Sequence, residues 1–331
     1  MTIPTTVVGS HPAPDFHLAH PTARGLIDAT ALVLHVQELA GLDLLTDGEL
    51  GRFDPDHPET NGMIESFVRP LAGVRSVVTR RDVAEFRTDA AFAFRARPCA
   101  VVEGEIGEGA LDLPAQYRRA RALTRARLKF TLTGPHMLAK TLLDHHYGSR
   151  AALAEALAGV LADQVAQIDA DVVQVDEANL PGHPGEAAWA LEAMNRVLDA
   201  VKTTPAVHLC FGNYGGQTVQ QGTWARLLDY LGGLHADHVL LEMTRRGADD
   251  LDRLAEIPPP IRFGASVIDV KTTVVESPET VARRIESAAK RFGEERIACV
   301  NPDCGFWMLP RSVAEAKIRA LVQGRDIHAG R

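Results

Sequence analysis

The chain has 331 residues, 46% of them apolar, with a formal net charge of −8 and four cysteines. That length can bury the core of two ordinary domains or of one large α/β barrel. The acidic balance, with its charges dispersed, offers no basic stripe for a phosphate backbone, so nucleic acid is excluded as an expected partner. The opening "MTIPTTVVGSHPAPDF" lacks the basic start and apolar run of a secretory signal, and no stretch has the apolar length that spans a bilayer. The expectation is a cytoplasmic protein without membrane contact, in which Cys99, Cys210, Cys299 and Cys304 are free thiols or metal ligands.

Short runs rich in Val, Ile and Leu recur in order: "TTVVGS", "LDLLTDGE", "LKFTLTGP", "DVVQVDEA", "AVHLCFG", "HVLLEMT", "RFGASVID" and "RIACVNPDCG". Each has strand length without clean polar alternation, the pattern of parallel strands covered on both faces. Between them lie segments with helical spacing, such as "RAALAEALAGVLADQVAQIDA" and "PETVARRIESAAKRFG". About eight strands alternating with helices predict a single (β/α)₈ TIM barrel over 1–331. Residues 55–127 break the rhythm with alternation and turn residues, and are read as an insertion of hairpin and helical pieces after the second strand. A doubly wound open sheet is the structural rival, weakened by the lack of a glycine-rich nucleotide fingerprint after the first strand.

Polar residues collect where these strands end: Ser10 and His11, Asp47 and Glu49, Asp176 and Glu177, His208 and Cys210, Glu242, Asp269 and Lys271, Asp303 and Cys304. In a barrel such ends share one mouth, which predicts one site. On a strand His208 and Cys210 face the same side. Alone, the pair is weak evidence for a metal and reads first as a hydrogen-bonded core histidine beside a buried free cysteine. Glu242 at the end of the next strand and Cys304 at the end of the last add a carboxylate and a second thiol to the same mouth. Imidazole and thiolate donors favour Zn²⁺ over oxygen-seeking cations. Two thiolates and a carboxylate leave the ion formally at −1, a poor Lewis acid for water; if Glu242 gives way to an incoming thiol, the metal holds that thiol as a thiolate. The chemistry this suggests is S-alkylation.

At this point the segments resemble the catalytic barrel of cobalamin-independent methionine synthases. "TTVVGSHP", "TDGELGRFD", "LTGP" and "VVQVDEANL" are similar to its opening strand, acidic loop, third strand and aspartate-glutamate strand; "HLCFGNY", "LLEMTRRG" and "VNPDCG" are similar to its three metal-bearing segments. The resemblance implies zinc on His208, Cys210, Glu242 and Cys304. It implies homocysteine against Gly9 and Ser10, with Glu49 and Asp176 toward its amino group, where two carboxylates suit an ammonium and repel a sulfonate. Glu177, on the opposite face from Asp176, reads as readily as a structural acid.

The sequence also departs from that family. The chain matches only the catalytic half of the classical enzyme, so a folate site shared between two halves is expected to be incomplete. Where the family has D-I-H this chain has "IDVK", which makes Lys271 a candidate donor-side acid or anion clamp. The tryptophan expected after "LTGP" is missing, and His145, His146 and Tyr147 are displaced substitutes. The expected function is zinc-dependent methyl transfer to homocysteine, from a folate or from a methylcorrinoid carried by a partner protein. The alternatives are an epoxyalkane:coenzyme M transferase-like alkyl transfer and a non-catalytic zinc- or thiol-binding barrel.

Overall fold

A computed structural model describes residues 2–53, 61–88, 95–213 and 216–331. Residues 55–60 and 89–94 of the expected insertion lie outside the described residues. The core is an all-parallel six-stranded sheet of β3 (Lys129–Thr133), β5 (Val172–Glu177), β6 (Pro205–Leu209), β7 (His238–Leu241), β8 (Arg262–Ile268) and β9 (Ile297–Pro302), in that spatial order. Consecutive strands are neighbours and helices return the chain between them, as parallel pairing requires. Helix Arg150–Val165 is started by Ser149, whose hydroxyl accepts from the Ala152 amide, and Pro278–Phe292 by Ser277 with a proline in its first turn. Both fall on the segments expected to be helical. Among the described residues, no helix is long and apolar enough to cross a membrane.

The first two expected strands are not regular strands. They make single parallel bridges: Thr5 to Val300 of β9, Thr6 to Leu44, and Leu45 to Leu128 just before β3. A longer ladder is pre-empted by side chains, since the Thr5 amide and hydroxyl both donate to the Asp43 carboxylate at 2.8 Å. Arg325 of the last helix binds the same carboxylate at 2.6 Å.

In the expected insertion, β1 (Ala72–Arg75) pairs antiparallel with β2 (Val101–Gly107), and helix Arg80–Phe86 lies between them in the chain. This small sheet takes its third strand, β4 (Leu143–Asp144), from beyond residue 127.

Strand alternation divides the buried residues into two sets. Val173, Val175, Val207, Leu209, Val239 and Leu241 belong to the main hydrophobic cluster with the helices. Their alternates Val172, Ala206, Leu240 and Cys299 form a separate small cluster with Val8 and Leu44. Polar groups continue that second face toward the strand ends. Lys129 donates to the Val7 carbonyl and to Gln174 Oε1, both at 2.6 Å, and Gln174 donates to the Val8 carbonyl and to Asp176 Oδ1 at 2.9 and 2.7 Å. Every buried polar group in this chain of contacts has a partner, which is the condition for burying it.

Candidate metal and thiol site

His208, Cys210 and Cys304 offer one nitrogen and two sulfurs that all lie within 4.8 Å of one another. His208 is in register with Asp176 on β5 and Leu240 on β7. Its Nδ1 lies 3.1 Å from the Leu240 carbonyl, a contact that requires the proton on Nδ1 and leaves Nε2 with a lone pair. That Nε2 is buried and has no hydrogen-bond partner among the described residues. The Cys304 and Cys210 sulfurs are 3.8 Å apart. The contact with Cys304, then burial, pushes the Cys210 thiol well above its ordinary value. Burial pushes the His208 imidazole down, but Cys210 and Asp176 outweigh it and raise it. An unpartnered imidazole nitrogen facing two close sulfurs is a costly arrangement that a soft divalent ion would satisfy, so these residues fit zinc.

Glu242 is not one of the three gathered groups. It sits one residue past β7, and Lys271 Nζ donates to both of its carboxylate oxygens at 2.8 Å; these side chains are 2% and 1% exposed. The Phe211 amide donates to the same carboxylate at 3.2 Å. The surrounding backbone is fixed by Trp224, whose indole N–H donates to the Glu242 carbonyl at 3.1 Å, and by Asp303, which accepts from the Met243 and Thr244 amides at 2.8 and 3.1 Å. Burial raises the Asp303 carboxyl to about 7. Lys271 therefore faces a carboxylate and Thr218, whose hydroxyl it reaches at 2.9 Å.

A cavity of about 470 Å³ joins His208, Cys210 and Cys304 to Ser10, Glu49 and Asp176. Glu49 is the only non-glycine residue with positive φ among the described residues, at 60°. That left-handed turn carries roughly 1 kcal/mol of strain, typical of a functional loop. Its carboxylate lies so close to the backbone of Gly9 that a Cβ there would meet Oε1 at 2.1 Å, which is why this position is glycine. The Ser10 loop packs on the Cys304 loop: the Phe306 amide donates to the Ser10 carbonyl at 2.8 Å, and a Cβ on Gly305 would meet Ser10 Oγ at 1.9 Å. Burial pushes the Asp176 carboxyl up to about 7, reinforced by Glu49 and opposed by His208, Gln174 and Arg52. An arriving ammonium would favour its ionised form.

Glu177, which follows Asp176, also lines this cavity. Its carboxylate accepts from the Met137, Asn179 and Leu180 amides at 2.9, 2.8 and 3.2 Å, binding two chain turns together. Cys99 and Cys299 are buried outside the group of His208, Cys210 and Cys304, although Cys99 lines the same cavity, and burial raises both thiols to about 11. His145 contacts Glu85 at 2.9 Å and the Tyr147 hydroxyl accepts from the Ile106 amide at 2.9 Å, so both serve the small sheet. The residue missed from sequence is Arg52. It pairs with Glu49 at 3.1 Å, donates to Thr131, and lies 5.0 Å from the Phe67 ring centre. Its signal was the three-residue spacing from Glu49 on one helical turn.

The fold and site together define the class: a parallel α/β enzyme with its polar groups at the carboxyl ends of the strands. The family described as "Cobalamin-independent synthase, Catalytic domain" matches residues 3–325. A methionine synthase of Thermococcus kodakarensis is 30% identical, covering 98% of this chain and 93% of its own length. A 2-hydroxypropyl-CoM lyase of Xanthobacter autotrophicus is 28% identical, covering 99% and 95%. The solved B12-independent methionine synthase from Shewanella sp. W3-18-1, in complex with selenomethionine, superposes with a TM-score of 0.81 at 26% identity, covering 100% and 98%. The chain belongs to the cobalamin-independent synthase family and, with it, to the methyltransferases. That membership removes the non-catalytic binding protein from consideration.

Proposed function

We propose that this protein is a zinc-dependent thiol S-methyltransferase that converts homocysteine to methionine. The observation that carries the reading is the unpartnered Nε2 of His208, facing Cys210 and Cys304 in the cavity that also holds Ser10, Glu49 and Asp176. His208, Cys210 and Cys304 would hold the ion, with Glu242 as the fourth ligand. Bound there, zinc would supply a thiolate nucleophile at neutral pH.

The chain's own residues do the rest. Glu49 and Asp176 bind the substrate ammonium, and Gly9 and Ser10 position the amino acid backbone beside the Cys304 loop. Arg52 keeps the Glu49 carboxylate aimed. A methylcorrinoid carrier has no support in a family described as cobalamin-independent, and a donor of the folate class is the one to supply first. In the same reading the bridged segments at 5–6 and 44–45 are the two short strands that complete an eight-stranded barrel, with residues 55–127 as its insertion. Four free thiols suit a reducing, cytoplasmic setting.

The test is calorimetric binding of homocysteine and of coenzyme M to zinc-loaded and zinc-stripped protein, with metal content measured on the same samples. Homocysteine binding that disappears with the zinc supports the reading. Preference for coenzyme M would overturn the roles of Glu49 and Asp176 and favour alkyl transfer to a sulfonate thiol, and homocysteine binding indifferent to zinc would remove the metal from substrate recognition.

A further inference from the structure

The Glu242–Lys271 pair has an unusual position. Glu242 follows β7 and Lys271 follows β8, yet they meet beside Cys210, because the Phe211 amide that holds Glu242 belongs to the residue after that cysteine. The Lys271 ammonium has three hydrogens, and three acceptors surround it: both Glu242 oxygens and the Thr218 hydroxyl. Its backbone is fixed too, since its amide donates to Asp269 Oδ1 at 2.8 Å and its carbonyl accepts from Arg245 at 3.1 Å. In this arrangement the cation is partnered by one particular carboxylate and one hydroxyl.

We propose that Lys271 competes with the bound metal for Glu242 and so assists the exchange of this carboxylate. Lys271 is then a positioning residue that receives Glu242 when a substrate thiol takes its place. The inference rests on the zinc reading above. A buried carboxylate released from a metal with no cation beside it would be strongly disfavoured, and the ligand would stay bound. With an ammonium already in hydrogen-bond reach, the released carboxylate keeps a charged partner in the same low-dielectric surroundings. The exchange would be a ligand substitution in which the Glu242 carboxylate passes to the Lys271 ammonium, the substrate sulfur takes its place, and the thiol proton goes to solvent, with no change of oxidation state.

The experiment compares zinc-loaded wild type with Lys271→Met, Lys271→Arg and Glu242→Gln, and with the double variant Glu242→Gln/Lys271→Met. Two readouts are independent of turnover: the rate at which a chromophoric chelator removes zinc, and homocysteine affinity by calorimetry. Removing the competitor in Lys271→Met should slow zinc loss about tenfold and weaken homocysteine binding about tenfold, a difference of the size one charged contact supplies. Lys271→Arg should restore both, and in the Glu242→Gln background Lys271→Met should change neither. Lys271→Gln is carried alongside, so that a folding failure of Lys271→Met leaves the comparison intact. A wild type that binds zinc and homocysteine while the Lys271 variants match it in both readouts overturns this inference alone. So does an undiminished effect of Lys271→Met in the Glu242→Gln background. A wild type that holds no zinc overturns this inference and the proposed function together.

Discussion

Replacing Arg52 by Met isolates the part of the site that orients the substrate. Arg52 and Glu49 are 5% and 4% exposed and 3.1 Å apart, so neither charge is appreciably screened by solvent. Methionine keeps an apolar stem against Phe67 and Phe130 but removes the charge, leaving the Glu49 carboxylate buried with the Thr131 hydroxyl as its one side-chain partner among the described residues. Breaking one side of such a pair costs about 3–5 kcal/mol. At a urea slope of about 3 kcal/mol per M, that moves the unfolding midpoint down by more than about 1 M. Glu49→Gln alone should destabilise in the same way, by leaving the guanidinium unpaired. The double variant Glu49→Gln/Arg52→Met buries no unpaired charge and should return to within about 1–2 kcal/mol of wild type. It should retain zinc while losing homocysteine affinity, which separates substrate orientation from metal binding. Urea unfolding of all four proteins completes the cycle. A single variant within about 1 kcal/mol of wild type, or a double variant as unstable as the two singles summed, would refute the buried-pair reasoning.

Other consequences are tested as directly. Of the four cysteines only Cys304 is partly exposed, so iodoacetamide should modify zinc-free protein first at Cys304, and zinc should suppress that reaction; peptide mapping that finds Cys99 or Cys299 first would contradict the burial described. Cys304→Ser should lower zinc content and turnover together, by analysis of metal and rate on one sample. The Glu186 carboxyl, pushed up by burial but held down at about 2 by hydrogen bonds from His136 and Lys140, has a folded value below its unfolded one. Its contribution to stability is therefore complete above about pH 4.5 and is lost as pH falls toward 2. Glu186→Gln should flatten stability over that window, read by denaturant unfolding at several pH values, and an unchanged profile would exclude the network as an acid-sensitive element.

Much of the scaffold was legible in the chain because buried parallel strands are continuous apolar runs. Six of the eight runs are regular strands, from "LKFTLTGP" to "RIACVNPDCG". The first two were misjudged in extent, because Asp43 takes the Thr5 amide that a ladder would need, and a side-chain acceptor of that kind leaves no trace in apolar periodicity. The gathering of His208, Cys210 and Cys304 followed from strand ends meeting at one mouth. The partnership of Glu242 with Lys271 did not, since it depends on where two post-strand turns place long side chains. Arg52 stayed hidden because an arginine three residues from a glutamate is usually a solvated helix pair.

The single bridges at Thr5, Thr6 and Leu45 divide the molecule mechanically. The proposed ligands His208 and Cys210 hang from a strand tied on both sides by regular ladders, whereas Gly9, Ser10 and Glu49 hang from segments paired through single bridges. Local opening concentrates where backbone ladders are sparse. Amide hydrogens of residues 7–10 and 46–49 should exchange with deuterium well before those of 206–209. The protein would then keep a rigid anvil for the proposed metal and a hinged jaw for the proposed amino acid, able to release a product without loosening the ion.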